Sequence, residues 1–271
     1  MKPAPFDYVR AGILAEAHDV LAAEGGDAAV LAGGQSLVPL LSMRMARPKV
    51  LLDIMHLEEL GGIRVEDGAI RVGARARQAD LLAWSELAKH QPLLAQAVPW
   101  IGHWQTRARG TVCGSVALAD PSAELPLCLL ALGGEVTLSS KQGRRRVKAD
   151  DFFTGLMSTA RSDDELIEAA SFPCRRPGEG FAFREFARRH GDFAIVACAA
   201  VVTEKNVRLA IGGVADRPVV RDFDDPGDDA LAAFAADLDA RDDLHATADY
   251  RRDLVRRLGR ITIDEAQACR A

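Results

Sequence analysis

The sequence predicts an α+β protein built in three successive parts: a small parallel βαβ part, an antiparallel α+β part and a C-terminal α+β domain. Three observations predict it. Helix-like and strand-like segments alternate at the start of the chain, glycine-containing turns separate alternating apolar segments in the middle, and a segment rich in proline and glycine at 173–180 precedes the rest. With 271 residues, the chain is long enough for a packed core.

The first part alternates helix and strand. Apolar residues at helical spacing predict a helix over Ala11–Glu24, and a glycine pair ends it. We expect a strand at Ala28–Leu31, a second helix at Leu37–Met45 and a buried strand at Val50–Ile54. This order implies parallel strands in a βαβ layer, and it implies that the chain opens with a helix.

Two hairpins characterise the middle part. Apolar and polar residues alternate over 63–65 and 69–72 around an Asp-Gly pair, and again over 135–139 and 146–149 around a second glycine turn. Asp-Gly between alternating segments is a strong signal for an antiparallel hairpin. Three further elements are expected here: an amphipathic helix at Asp80–His90, a buried helical turn at Leu125–Leu132 and a strand at Leu166–Ser171.

The C-terminal domain is expected to pair two strands and add helices. Phe193–Thr203 and Val207–Gly212 are strand-like and are separated by a short polar turn. Helical spacing then predicts helices at Ala230–Asp239 and Thr247–Leu258. A separate short helix is expected at Asp264–Cys269.

Composition and charge exclude several classes of protein. Hydrophobic residues are 48% and charged residues 27% of the chain, as in ordinary globular proteins. A net charge of −5 provides no general attraction to nucleic acid. The longest apolar run, Ala194–Val202, is far shorter than the roughly 20 residues of a membrane-spanning helix, and the first residues carry no secretory signal.

The five cysteines favour a reducing cytoplasm. Their number is odd, and no pair has the C-x-x-C spacing of a metal or redox site. We therefore expect neither a disulfide framework nor a metal site in this chain. The sequence shows no Ser-His-Asp pattern and no converging carboxylate pair, so no catalytic residue is assigned.

A glycine loop, Gly33-Gly34-Gln35-Ser36, follows the first expected strand. Glycine permits phosphate to approach the backbone N–H groups at a helix start, and Ser36 adds a hydroxyl donor. The alternative is a tight strand-to-helix turn that Ser36 caps. A Rossmann dinucleotide site is disfavoured, because the G-x-G-x-x-G pattern is absent and the chain opens with a helix. Asp53, 20 residues after Gly33, is therefore interpreted as a strand-end or capping residue.

A second loop with similar chemistry occupies 107–115 and continues to 119–126. Within 110–115 it holds two glycines and two hydroxyl residues, which suit phosphate oxygens. Two such loops about 75 residues apart suit the pyrophosphate of a dinucleotide held from two sides. The alternative is a pair of β-turns in which Glu124 is hydrogen-bonded locally.

Both loops, in this order and at this spacing, resemble those of one family. The chain resembles the FAD-binding medium subunit of molybdenum hydroxylases, the family of the carbon monoxide dehydrogenase medium subunit and the flavin domain of xanthine dehydrogenase. The resemblance extends over essentially the whole chain. Its segments are Ala32–Leu37, Arg109–Ser115, Ala119–Pro126, Phe186–Ala194, and Tyr250–Arg252 with Leu254.

This resemblance implies a division of the chain and a place for FAD. The parallel part covers 1–57, the antiparallel part 58–172 and the C-terminal domain 173–271, with FAD in the cleft between the first two. Carried over position by position, the resemblance also implies a set of cofactor-binding residues. They are Ala32, Gly33, Gly34, Gln35 and Ser36 in the first loop, Thr111, Cys113, Gly114 and Ser115 in the second, and Ile101, Glu124 and Leu166 elsewhere.

Some of these positions have a second interpretation. Ile101 and Leu166 are apolar and also suit the core. Cys113 replaces a glycine of the family, and three outcomes are open: its side chain crowds the phosphates, caps the flavin or is inert. Glu185 stands where relatives often carry lysine, and a negative charge there would lower the flavin potential.

The resemblance implies electron transfer rather than substrate activation. A large partner subunit with the molybdopterin cofactor oxidises the substrate, a small partner with two [2Fe–2S] clusters relays electrons to FAD, and FAD reduces an external acceptor. The cysteines of this chain lack the spacing for cluster ligation, so the clusters belong to another chain, and we expect a dimer of heterotrimers. Two alternatives stay open: a stand-alone flavin oxidoreductase of this fold, and a nucleotide-binding scaffold without flavin.

Overall fold

The computed structural model describes residues 2–270, and its first part is a three-stranded parallel sheet with two helices. Its elements are β1 (Asp7–Arg10), α1 (Leu14–Glu24), β2 (Ala28–Leu31), α2 (Leu37–Ser42) and β3 (Val50–Asp53). Strand β3 is central and pairs in parallel with β1 and with β2. All four residues of β3 are buried, as the apolar run predicted. The predicted small parallel βαβ part is therefore confirmed.

The chain opens with strand β1 and not with a helix, so that prediction is wrong. Strand β1 lies at the sheet edge, and three of its four residues are exposed. A short edge strand without a buried face carries no periodic signal in the sequence. The interpretation of Asp53 is confirmed, because it ends β3 and its carboxylate accepts hydrogen bonds from the Met55 backbone N–H and the Tyr8 hydroxyl.

The middle part is built on a five-stranded antiparallel sheet. Its strands are β4 (Ile63–Glu66), β5 (Ala69–Gly73), β6 (Glu135–Ser140), β7 (Gly143–Lys148) and β10 (Leu166–Pro173), and the short pair β8 (Phe153–Gly155) and β9 (Ser158–Thr159) forms a separate ribbon. The order is β4-β5-β10-β6-β7, with β10 in the centre. Both predicted hairpins, β4–β5 and β6–β7, are confirmed.

Seven short helices surround this sheet. They are α3 (Gln78–Ala83), α4 (Leu87–His90), α5 (Pro92–Ala97), α6 (Trp104–Arg107), α7 (Val112–Leu118), α8 (Glu124–Ala131) and α9 (Ala149–Phe152). The predicted single helix Asp80–His90 is wrong, because the backbone becomes extended at Trp84 and separates α3 from α4. Every residue of α8 is buried, which agrees with its apolar composition on all sides. This helix lies between the five-stranded sheet and the C-terminal domain.

The C-terminal domain is a four-stranded antiparallel sheet with two helices. Its elements are β11 (Gly180–Phe186), β12 (Val196–Val202), β13 (Val207–Gly212), β14 (Val219–Phe223), α10 (Asp228–Asp237) and α11 (Ala248–Ala268). The predicted pairing of β12 with β13 is confirmed. Helix α11 is continuous, so the predicted break after Leu258 is wrong. Gly259 lies inside it, and a Cβ there would stand 3.2 Å from the Leu209 side chain on β13.

Two apolar clusters form the core. One joins the parallel part, the middle part and one face of the C-terminal sheet, and the other fills the space between that sheet and α10 and α11. Three 3-10 turns connect elements, at Gly25–Asp27, Glu58–Leu60 and Val98–Trp100. Within residues 2–270, none of the helices combines the length and apolar character needed to cross a membrane. The boundaries at 57/58 and 172/173 stay predictions, and the second falls at the last residue of β10.

Candidate functional site

A cavity of about 570 Å³ is lined by residues of all three parts of the chain. Its volume lies within the roughly 300–1,000 Å³ of small-molecule and cofactor sites. Its walls include β2, the loop that enters α2, the loop that enters α7 and the first turn of α8. All twelve residues predicted from the sequence line it: Ala32, Gly33, Gly34, Gln35, Ser36, Ile101, Thr111, Cys113, Gly114, Ser115, Glu124 and Leu166.

The two glycine loops are in direct contact. A Cβ on Gly33 would lie 2.3 Å from the carbonyl oxygen of Arg109 and 2.7 Å from the Cα of Gly110. No side chain fits in that space, so glycine is required at position 33 for the loops to meet. The sequence predicted both loops separately, and the structure brings them together at one end of the cavity.

The first loop leaves backbone donors available to a ligand. Gly34 has φ +70°, a left-handed conformation that favours glycine. Within residues 2–270, the N–H groups of Gly34, Gln35 and Ser36 donate to no protein acceptor. The alternative in which Ser36 caps the helix is wrong, because its hydroxyl makes no capping hydrogen bond. The three N–H groups and this hydroxyl therefore remain for a ligand.

The second loop is held rigidly at its entry into α7. The Thr111 hydroxyl caps the helix by accepting a 3.0 Å hydrogen bond from the Gly114 N–H. A Cβ on Gly114 would lie 2.6 Å from this hydroxyl oxygen, so only glycine permits the cap. Backbone hydrogen bonds from Gln78 to Gly110 and from Val112 to Ala76 tie the loop to the start of α3.

Cys113 is a buried thiol and not a reactive group. Its Sγ lies 3.5 Å from the carbonyl oxygen of Val72, to which it donates. Burial in this apolar environment raises the thiol pKa to about 12. The thiol therefore stays protonated at neutral pH. Of the three outcomes left open for this position, the structure favours the inert one.

Gln78 is a lining residue that sequence reasoning missed. Its side chain is 5% exposed, and within residues 2–270 its Oε1 has no hydrogen-bond partner. A buried amide oxygen without a partner carries a desolvation cost of about 1–3 kcal/mol, which a bound hydroxyl or N–H donor would offset. A lone glutamine in a helical segment gives no sequence signal of such a role.

Two acidic residues at the start of α8 hold protons unusually well. Burial, together with the nearby charge of Asp120, raises the pKa of Glu124 to about 7. Burial also raises the pKa of Asp120. Glu185 on β11 does not line the cavity, and burial followed by the charge of Glu124 raises its pKa to about 8.

Within the part of the chain described, no group of three or more His, Cys, Asp or Glu side chains is arranged to hold a metal ion.

Apolar and charged residues occur together in another part of the cavity lining. Ile101 and Leu166 line the cavity and are also buried in the core, at 7% and 2% exposure, and their contact with a cofactor stays a prediction. Glu165 beside Leu166 accepts two hydrogen bonds from the Arg145 guanidinium, which lower its pKa. This carboxylate is therefore ionised and paired rather than free.

The loop between β11 and β12 closes a third side. Gly191, Asp192 and Phe193 line the cavity, although none was predicted as a site residue. A Cβ on Gly191 would lie 2.7 Å from the carbonyl oxygen of Gly102, so this loop rests directly on the middle part. The Phe193 ring is 63% exposed. The segment Phe186–Ala194 carried a sequence signal, but only tertiary structure brings it to the cavity.

The sequence profile of the FAD-binding domain in molybdopterin dehydrogenases matches residues 4–175, more than half of the chain. The chain belongs to this family. It is an FAD-binding medium subunit of the molybdenum hydroxylase type, and the predicted resemblance is confirmed. The matched segment ends before Gly191–Phe193, so part of the cavity wall lies beyond the family's FAD-binding domain.

Relatives of similar length extend the match beyond that domain. The chain is 38% identical to the 6-hydroxypseudooxynicotine dehydrogenase complex subunit alpha of Paenarthrobacter nicotinovorans, over 98% of this chain and 96% of the relative. It is 36% identical to the nicotine 6-hydroxylase medium subunit of the same organism, over 99% of both chains. A solved carbon monoxide dehydrogenase from Hydrogenophaga pseudoflava superimposes with a TM-score of 0.92 over 100% of both chains, at 31% identity.

The residues of the cavity fit the cofactor of this family. An FAD molecule has an anionic pyrophosphate, several hydroxyl donors and a large apolar ring system. The cavity offers unpaired N–H groups in the first loop, an unpartnered acceptor on Gln78, and apolar walls that include Ile101 and Leu166. Each of these three features of the cavity thus has a chemical counterpart in FAD.

Proposed function

We propose that this cavity is the FAD site and that the twelve predicted lining residues bind the cofactor, with the pyrophosphate between the two glycine loops. The observation that carries the proposal is their convergence. Twelve residues between Ala32 and Leu166, which the family resemblance of the sequence implied, line a single cavity of suitable size. We also propose the division into 1–57, 58–172 and 173–271, with the cofactor between the first two parts.

Backbone groups rather than side-chain cations would stabilise the pyrophosphate. Arg161 is the one basic residue among the described lining residues, and its guanidinium donates to the carbonyl oxygens of Ser162 and Glu165. Among the residues that the structure describes, the N–H groups of Gly34, Gln35 and Ser36 have no acceptor, and they lie at the start of α2. Successive N–H groups at a helix start favour bound phosphate through their partial positive charge.

Gln78 and Glu124 would complete the polar contacts. The Gln78 Oε1 has no protein donor, so it would accept a hydrogen bond from a hydroxyl or N–H of the cofactor. Glu124 has a pKa of about 7, so near neutral pH its carboxyl group exists in both forms and can donate or accept. These two side chains would orient the cofactor, and the surrounding apolar walls would exclude water.

FAD supplies two-electron redox chemistry when bound, and the protein provides binding and orientation. We propose that electrons arrive from [2Fe–2S] clusters of a small partner subunit and leave to an external acceptor, while a large partner subunit with molybdopterin oxidises the substrate. Relatives named as a complex subunit alpha and as a medium subunit support a multi-subunit enzyme. A dimer of heterotrimers in the cytoplasm completes the proposal.

The first experiment is purification of the tagged chain from its native host, followed by a visible spectrum and gel electrophoresis. We expect flavin bands overlaid by iron–sulfur absorbance, with two additional chains on the gel. Flavin without partner chains would contradict the electron-transfer role and favour a stand-alone flavin oxidoreductase. A protein that stays colourless after addition of FAD would contradict the cofactor site itself.

A matched pair of variants tests the loop assignment. Gly34→Val is expected to lose flavin, because Gly34 has φ +70° and an added Cβ would lie 3.1 Å from the Val38 side chain. Gly155→Val is the control, since a Cβ at Gly155 meets no atom within 4 Å. The measurement is the molar ratio of released flavin to protein. An equal ratio in both variants would disprove the assignment of the first loop.

A further inference from the structure

Arg251 is a buried arginine in the C-terminal helix α11. It is 5% exposed, whereas the other four arginines of this helix are half-buried or exposed. A buried guanidinium requires partners for its charge and its donors. The identity of those partners connects the last helix of the chain with the cavity.

The guanidinium of Arg251 joins three separate segments. One terminal nitrogen donates to the carbonyl oxygens of Ile195 and Gly213, both at 2.6 Å. The other donates to the Asp243 carboxylate at 2.5 Å. Asp243 is itself fixed, because its second oxygen accepts hydrogen bonds from the N–H groups of His245 and Ala246. Such charge-assisted hydrogen bonds are stronger than neutral ones.

The first carbonyl belongs to the cavity-lining loop between β11 and β12. Ile195 is two residues beyond Phe193, which lines the cavity, and its N–H donates to the Phe186 carbonyl at the base of this loop. The bond from Arg251 therefore fixes the end of the loop at Ile195, which is not itself a lining residue.

The second carbonyl belongs to Gly213, which is hydrogen-bonded to the segment that precedes α8. The N–H of Gly213 donates to the Pro121 carbonyl at 2.8 Å, and Pro121 is followed by the lining residues Ala123 and Glu124. Gly213 has φ +80°, and a Cβ there would lie 2.8 Å from the carbonyl oxygens of Ala194 and Ile195. The two segments are thus packed against each other at Gly213.

We propose that Arg251 is a positioning residue of the FAD site: its guanidinium holds together the loop that carries Phe193 and the turn that carries Glu124. This inference rests on the proposed function, because it takes the cavity as the cofactor site. Within residues 2–270, Arg251 donates no hydrogen bond to a lining residue, and it acts through Ile195 and Gly213. Lysine keeps the charge but lacks the planar fork that serves three acceptors at once.

The test compares Arg251→Gln and Arg251→Lys with the neighbouring control Arg252→Gln in the protein as purified. Arg252 contacts Asp249 and the Leu238 carbonyl, which lie away from the cavity. The first measurement is hydrogen–deuterium exchange of peptides that cover 186–195 and 119–124. We expect faster exchange in both peptides for the two Arg251 variants and wild-type exchange for the control.

The second measurement is flavin affinity together with the visible circular dichroism of the bound flavin. Loss of a charge-assisted contact is expected to weaken FAD binding about tenfold in Arg251→Gln, with a smaller loss in Arg251→Lys. The dichroic bands are expected to change in both. A role confined to stability would lower the melting temperature and leave the dichroism and the exchange of both peptides unchanged.

Wild-type exchange in both peptides of Arg251→Lys would overturn the inference, and this holds even if Arg251→Gln fails to fold. A wild-type protein that binds no FAD would contradict the proposed function, while the exchange comparison would still decide whether Arg251 positions the two segments. The two failures are therefore distinguishable.

Discussion

The pKa of the Glu185 carboxyl group departs further from its usual value than that of Glu124, and this departure can be tested. Within residues 2–270, both of its carboxylate oxygens are buried without a hydrogen-bond partner. Burial, and then the charge of Glu124, raise its pKa from the usual 4.5 to about 8. Glu185→Gln keeps the shape of the side chain and removes its ability to ionise.

The sign of the effect follows from proton binding. In the unfolded chain this carboxyl group releases its proton near pH 4.5, whereas in the folded chain it keeps the proton until about pH 8. The contribution of the Glu185 carboxyl group to the free energy of unfolding is fully present below pH 4.5. It is lost as the pH rises through 8, because ionisation of this group costs more in the folded chain than in the unfolded chain. Between pH 5 and pH 8 the loss is at most about 3.5 kcal/mol, and solvent screening at this half-buried residue reduces it to about 2 kcal/mol.

The assay is urea unfolding of the flavin-free chain at pH 5 and pH 8, followed by tryptophan fluorescence. Glu185→Gln is expected to gain about 2 kcal/mol relative to wild type on going from pH 5 to pH 8, because the amide cannot ionise. Glu204→Gln is the control, since Glu204 is exposed in the turn between β12 and β13. Its stability relative to wild type should be the same at both pH values.

A constant difference between Glu185→Gln and wild type at the two pH values would refute the reasoning. It would mean that the carboxyl group of Glu185 ionises as it does in water, and therefore that solvent or a donor reaches its oxygens. If the Glu204→Gln control also gained stability relative to wild type at pH 8, the effect would arise from net charge rather than from burial of Glu185.

Three further outcomes are expected. Glu185→Lys should raise the flavin potential by some tens of millivolts, because a positive charge beside Glu124 favours the reduced, more anionic cofactor; an unchanged redox titration would show that the residue is remote. Gln78→Met should stabilise the flavin-free chain by about 1 kcal/mol and weaken FAD binding, since the orphaned Oε1 is removed; thermal unfolding and flavin titration measure both. In the native protein a thiol reagent should label the exposed Cys269 and spare Cys113, whose pKa is about 12; mass spectrometry of the labelled peptides checks this.

Local chemistry explains which parts of the site the sequence could predict. The first loop is defined by adjacent glycines and a serine, and the second by two glycines and two hydroxyl residues, so each is recognisable within a few positions. The hairpins were equally local, because turn residues and alternating strands adjoin each other. In these segments, residues that are neighbours in sequence are also neighbours in the structure.

Contacts between distant segments explain the misses. Gln78 and Phe193 reach the cavity only through tertiary packing. Gln78 has no sequence neighbours that mark a site, and the resemblance over Phe186–Ala194 does not by itself place Phe193 at the cavity. Strand β1 has no buried face, so it showed no periodicity. The sequence predicts two helices, Thr247–Leu258 and Asp264–Cys269, on either side of Gly259, but the lack of a side chain at Gly259 allows close packing of the continuous α11 on Leu209. A glycine that packs and a glycine that breaks a helix look alike in sequence.

The contact of Gly33 with Arg109 and Gly110 has a consequence for how the chain folds. The two loops are far apart in sequence, and the loop with Gly191, from still farther along the chain, packs against Gly102. Closing such long segments costs chain entropy, so contacts of this kind form late. The cofactor cavity is therefore completed only when all three parts have docked. Bound flavin would mark a chain that has finished folding and would add to the free energy that keeps it folded.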